Sequence, residues 1–243
     1  MNKPESFSGV RFVLARTSHP GNIGAAARAM KTMGFGDLRL VTPALYPDPR
    51  AEARATGALD VLNGARVCAS LDEALQGAAL TAGFSARRRD TSPGDYTPRE
   101  AMPELAARAR HQPVALLFGN ETNGLSNAEL ERCQLRIFIP TNPEYTSLNL
   151  GAAVQVAAYE MRLALSGEQP VPGPEEEPLA LHEDLEGFYA HLERVLVRVG
   201  FLDPASPKRL MPRLRRLLGR ARPRRDEANI LRGILTEIEK SLR

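Results

Sequence analysis

Apolar positions along the chain fall into short continuous runs separated by longer amphipathic stretches. Val10-Arg-Phe-Val-Leu-Ala15, Leu38-Arg-Leu-Val41, Ala78-Ala-Leu-Thr-Ala-Gly83, Val114-Ala-Leu-Leu-Phe118 and Leu135-Arg-Ile-Phe-Ile139 read as strands, and Val67-Cys-Ala69 as a shorter one. Runs of this kind suit strands covered on both faces. Alanine-rich Ala25 to Met33 predicts a helix stopped by Gly34, a second helix falls in the low fifties, and Leu71 to Gln76 makes a short third. Arg87 to Thr97 reads as a charged, turn-rich loop. At Thr97-Pro-Arg-Glu100 a capping threonine, a proline in the first helical position and a returning glutamate open a helix that runs to about Arg110. Ser126-Asn-Ala-Glu129 repeats the capping signal. Leu148 to Leu165 carries an apolar stripe at Leu150, Val154, Ala157, Ala158 and Met161, with Ser147 as N-cap and Asn149 in the first turn. Strands alternating with helices predict an α/β fold on a parallel sheet of five or six strands.

The pattern changes after residue 165. Ser166 to Pro178 holds four prolines and reads as a semi-extended acidic linker. Beyond it, Leu181 to Val199, Lys208 to Leu218 and a last helix are amphipathic. The last helix places Ile230, Leu231, Ile234, Leu235, Ile238 and Leu242 on its apolar side. The organisation expected is a domain over 1–166, a linker over 167–179 and a small helical, basic extension over 180–243. The extension holds few large apolar residues, so it is expected to pack on the sheet domain or on a second subunit.

Charge sharpens this division. The net charge is +3 overall, but residues 208–243 hold 12 basic and 4 acidic side chains, a net of +8, whereas 168–207 hold 2 and 9, a net of −7. A basic end of this strength suits a polyanion such as nucleic acid, and equally a solvated charged helix face. Cys68 and Cys133 are the only cysteines and form no CxxC pair, and the four histidines are scattered, so no metal centre is expected. No apolar run approaches the roughly 20 residues of a membrane helix, and Met1 to Ser6 lacks a signal-peptide stretch. Cytoplasmic residence is the expectation.

Three polar loops follow strands: Thr17-Ser-His-Pro-Gly-Asn-Ile-Gly24, Gly119-Asn-Glu-Thr-Asn-Gly-Leu-Ser126 and Ile139-Pro-Thr-Asn-Pro-Glu-Tyr-Thr-Ser-Leu-Asn149. Open parallel sheets bind ligands beyond the carboxyl ends of their strands, where these loops can converge. None is a dinucleotide or phosphate fingerprint. Arg28, among small neighbours, can clamp a phosphate, sit near a ribose hydroxyl, or be an ordinary surface arginine. Glu121 can orient a polar ligand, bridge to Arg28 or accept loop amides. Tyr145 can stack on a base or pack.

Thr17 through Gly34, Leu117 through Leu125 and Ile139 through Leu150, in that order, resemble the SPOUT class of RNA methyltransferases in its SpoU/TrmH branch. The long first stretch is most similar to the TrmJ type, the tRNA cytidine/uridine-2′-O-methyltransferases acting at nucleotide 32 of the anticodon loop. The resemblance implies a trefoil knot late in the sheet domain, a homodimer with sites at the subunit interface, and S-adenosylmethionine as methyl donor. It implies that Gly119, Glu121, Ile139 and Leu148 line the cofactor, with Thr81 and Gly83 on the adenosine side. It gives Arg28 a catalytic role at the ribose, donated across the dimer, supported by Ser147 and Asn149. Asn22, Glu121 and Tyr145 shape the substrate loops. TrmJ-type enzymes carry a helical extension, and Arg213, Arg215, Arg216, Arg220, Arg222, Arg224 and Arg225 are expected to touch tRNA backbone. Other readings are 2′-O-methylation at another tRNA or rRNA site, and a non-catalytic RNA-binding module on the same fold.

Overall fold

A computed structural model describes residues 7–86, 95–167 and 178–242. The chain forms two compact units that part near residue 170. The first is built on seven strands: β1 (Val10–Ala15), β2 (Asp37–Val41), β3 (Arg66–Cys68), β4 (Leu80–Phe84), β5 (Asp95–Tyr96), β6 (Val114–Phe118) and β7 (Leu135–Ile137). They stand in the order β3-β2-β1-β6-β4-β7-β5, and every pairing is parallel. Six strands correspond to the apolar runs. The seventh, β5, lies where a loop was expected, two residues paired to Arg136 and Ile137 of β7. Residues 87–94 of that expected loop, and the proline-rich stretch 168–177, lie outside the described residues.

Alternation along the buried strands divides the core. Phe12 and Leu14 of β1, with Leu116 and Phe118 of β6, face one layer, and Val13, Ala15, Ala115 and Leu117 face the other. The first layer is closed by α1 (Pro20–Thr32), α2 (Pro49–Ala55), α3 (Leu59–Asn63), α5 (Pro98–Ala109) and α7 (Leu150–Ser166), and the second by α4 (Leu71–Leu75) and α6 (Asn127–Glu131). The Phe118 ring stacks on Phe84 at 4.4 Å between centroids. This packing brings the ends of β4 and β6 together.

The small residues of α1 have a packing purpose. A Cβ on Gly24 would stand 2.0 Å from the Ala51 carbonyl oxygen, and one on Gly151 would stand 2.8 Å from the Ala25 Cβ. Helices α2 and α7 thus close on α1 from two sides, at separations only glycine and alanine allow. The helix starts at Pro20 rather than Ala25, because Pro20 occupies the first turn where its missing N–H costs nothing. At α7 the cap is Asn149, not Ser147: its side chain accepts from the Ala152 amide at 2.7 Å. The capping boxes at Thr97 and Ser126 form as the sequence indicates.

The second unit packs α8 (His182–Arg198) against α10 (Arg225–Ser241), with α9 (Leu210–Ala221) alongside. Its core is Leu185, Phe188, Tyr189 and Val195 with Ala228 and Leu235. Only half of the expected α10 stripe is covered within this unit. Leu231, Leu235 and Ile238 pack inward, whereas Ile230 and Ile234 remain 61% and 53% exposed. The two rows diverge around the helix, and α8 reaches one of them.

Candidate active site

The loops after β1, β6, β4 and β7 emerge from four adjacent strands, all at the carboxyl edge of the sheet. Residues 119–125 form a tight turn closed on itself. The Gly124 amide donates to the Asn120 carbonyl at 2.9 Å, and the Asn120 side chain accepts from the Thr122 and Asn123 amides. A Cβ on Gly119 would fall 2.1 Å from the carbonyl carbon of Gly124, so only glycine lets the turn close. Gly124 itself sits at φ +65°, in the left-handed region.

Glu121 ties this turn to the first loop. It accepts from the Ser18 amide (2.9 Å) and hydroxyl (2.8 Å), the His19 amide (3.2 Å) and the Asn22 side-chain amide (2.9 Å). Burial disfavours its charge, but these donors outweigh burial and hold its pKa down at about 2. Of the contacts within the protein open to it from sequence, acceptance of loop amides is the one formed, and no bridge to Arg28 is made. A second tie comes from Arg16, at φ +55°. Its guanidinium donates to both Glu129 oxygens, at 2.9 and 2.6 Å, and to the Gly124 carbonyl at 3.3 Å.

These ties frame a cavity of about 440 Å³, within the range of small-molecule sites. Gly119, Glu121, Ile139, Leu148 and Ser147 all line it. Thr81 and Gly83 do not. Thr81 is buried within β4, its amide donating to Gln134, and Gly83 packs against Cys133, Leu125 and Leu130. The β4 wall is instead Phe84, Ser85 and Ala86, because the strand runs one residue beyond Gly83 before it turns into the cavity. Phe118, Thr141, Thr146, Leu150 and Ala153 also line it, none of them marked by the sequence as a site residue. The apolar side chains and the backbone-rich turn suit a flat heterocycle and its polar edge.

Asn149 lies outside this cavity and lines a second one, of about 490 Å³, with His19, Pro20, Gly21, Asn22, Ala25, Arg50 and Arg54. Arg28 is exposed on α1 and has no ion pair or hydrogen bond with a described residue. Tyr145 is 77% exposed and lines neither cavity. In the helical unit the seven candidate arginines separate. Arg213, Arg216 and Arg220 lie along one exposed row of α9. Arg215 points inward instead: it holds Glu186 at 2.8 Å through Nη2 and covers the Tyr189 ring at 4.3 Å. Arg222 donates to the Gly219 carbonyl, the Arg224 amide donates to Glu227 within the first turn of α10, and Arg225 stands 3.7 Å from Asp184. Among the described residues no group of three metal-ligating side chains occurs, and no helix is long and apolar enough to cross a membrane.

A parallel α/β domain with a ligand-sized cavity over the ends of the neighbouring strands β6, β4 and β7, and glycine turns in place of a phosphate loop, defines the class. The chain belongs to the SpoU rRNA Methylase family, whose sequence model matches residues 9–159, and the model for the tRNA methyltransferase TrmJ, C-terminal domain matches residues 183–243. The tRNA (cytidine/uridine-2′-O-)-methyltransferase TrmJ of Cronobacter sakazakii (strain ATCC BAA-894) is 50% identical over 236 residues, spanning 96% of each chain. Among solved structures, TrmJ from Z. mobilis ZM4 superposes with a TM-score of 0.83 at 35% identity, over 94% of this chain and 98% of that one. The SpoU methyltransferase AviRb from Streptomyces viridochromogenes, in complex with the cofactor AdoMet, gives 0.53 at 28% identity, over 67% of this chain and 63% of that one.

Proposed function

We propose that this protein transfers a methyl group from S-adenosylmethionine to the ribose 2′-hydroxyl of cytidine or uridine at nucleotide 32 of the tRNA anticodon loop. The observation that carries the reading is the cavity closed by the 119–125 turn, walled by Phe84, Phe118, Ile139 and Leu148 and braced through Glu121. Similarity to the TrmJ of Cronobacter sakazakii along nearly the whole chain supports the substrate class.

When bound, S-adenosylmethionine supplies a sulfonium-activated methyl group. The protein's task is then mainly alignment of the ribose oxygen with that carbon. The Gly119–Leu125 turn and residues 147–150 hold the donor side. Arg28 binds a backbone phosphate and stabilises the developing alkoxide, given across the subunit interface of a homodimer. Ser147 faces the target from the cavity wall. Asn149 spends its Oδ1 on the α7 cap, so it acts toward RNA as a donor through Nδ2. Among the described residues Glu121 is the one ionisable side chain lining the cavity. The four hydrogen bonds it accepts make it a poor base. A trefoil knot late in the sheet domain, cytoplasmic residence and tRNA contact by the exposed arginines of α9 belong to the same proposal.

Methyl transfer to tRNA carrying C, U, A or G at nucleotide 32 tests it. Activity on C and U with little on A or G is expected, and equal activity on purines contradicts the assignment.

A further inference from the structure

The second cavity lies outside the donor site. Its floor is the first turns of α1, and one side is the pair Arg50 and Arg54, four residues apart on the same face of α2. The Arg54 stem lies directly across the turn from Gly21, its Cγ 3.5 Å from where a Cβ on Gly21 would stand, an ordinary contact distance. Arg54 makes no ion pair with a described residue. Arg50 is held in place by Asp48, at 2.9 Å for each of two hydrogen bonds. Gly21, Ala25 and Arg28 follow one another along one face of α1. The basic surface of the cavity therefore continues to Arg28.

The wall between the cavities is the start of α7. Ser147, Leu148 and Leu150 face the donor cavity, and Asn149 faces this one. His19 and Asn22 line this cavity while their amides hold Glu121. The two cavities are thus neighbours across the start of α7. Two guanidiniums, one of them unneutralised, with side-chain amide donors from Asn22 and Asn149, suit a phosphodiester and its sugar.

We propose that this cavity is a backbone subsite for the RNA, in which Arg54, seconded by Arg50, binds a phosphodiester flanking the nucleotide to be methylated. The proposal rests on the RNA-methylating function above and adds the residues that seat the strand.

The test measures tRNA affinity and methyl-transfer kinetics across salt for the intact protein, for Arg54→Ala, for the double variant Arg50→Ala/Arg54→Ala, and for Arg54→Lys. Expected for Arg54→Ala are a KM for tRNA raised about tenfold and a log–log salt slope shallower by about one. kcat at saturating RNA and S-adenosylmethionine affinity should stay unchanged, the double variant should lose more, and Arg54→Lys should recover most of the loss. An unchanged KM and slope overturn the subsite while leaving the methylation function standing. A fall in kcat or donor affinity with KM intact also overturns it, because Arg54 would then act on the donor side. If the intact protein binds tRNA but transfers no methyl group, the functional reading fails, and the salt slope still decides the subsite. Saturable binding of inorganic phosphate that Arg54→Ala abolishes, with RNA affinity untouched, reassigns the cavity to the free ion and overturns the proposal.

Discussion

Arginines in the sheet unit and in the helical unit carry different loads. Arg11 is buried within β1 and spends its donors on Asp37 and on the Ala74 and Gln76 carbonyls, and Arg16 spends its own on Glu129 and the Gly124 carbonyl. On α9, Arg213, Arg216 and Arg220 hold no described partner and present a row of charge to solvent. Each unit also has its exception. Arg28 and Arg54 are exposed guanidiniums with no ion pair to a described residue, and Arg215 is a committed one inside a basic helix. Side chains that shape a loop are satisfied by the protein, and those left free are available to an anion.

The largest expected effect is at Arg28. In single-turnover methyl transfer Arg28→Ala should lose about 10²–10³ in rate, the scale of one transition-state donor, while calorimetry shows donor affinity nearly intact. Lost donor affinity with normal turnover would move Arg28 to the other side of the comparison. Next is the α9 row. Charge reversal at Arg213, Arg216 and Arg220 together should lower tRNA affinity and make the salt slope shallower by about two; an unchanged slope would remove these residues from the RNA surface. Arg215→Ala should instead leave the salt slope alone and cost about 1–2 kcal/mol in denaturant unfolding, the combined scale of a half-buried ion pair and a cation–π contact.

The smallest effect is at Glu121. Its folded pKa of about 2 lies below its ordinary 4.5, so its contribution to stability is complete above about pH 4.5 and is lost as pH falls toward 2. The melting-temperature gap between wild type and Glu121→Gln should be roughly 2–4 °C at neutral pH and close over that acid window. A gap constant down to pH 2 would show that the carboxylate is not what braces the two loops.

What the sequence reveals and what it hides follow the same division. Strands β1, β4 and β6 are continuous apolar runs, and the capping boxes at Thr97 and Ser126 are complete within four residues, so both are legible locally. The start of α1 is obscured because Pro20 and Gly21 read as a turn when their role is to begin a helix. Strand β5 has no pattern of its own and exists through pairing with β7. The bonds of Glu121 to Ser18 and of Arg16 to Glu129 join residues about a hundred positions apart, so no window of sequence contains them. A charged residue closing an apolar run, as Arg16 closes β1, is the one local sign that such a tie was there. Ser85 and Ala86 were within reach, since they follow directly on the apolar run of β4.

The central claim concerns one oxygen. Labelled methyl transfer from S-adenosylmethionine should be measured on two otherwise identical tRNAs, one with cytidine and one with 2′-deoxycytidine at nucleotide 32. Incorporation into the first and background counts in the second is the result this account predicts, and equal incorporation into both would contradict it.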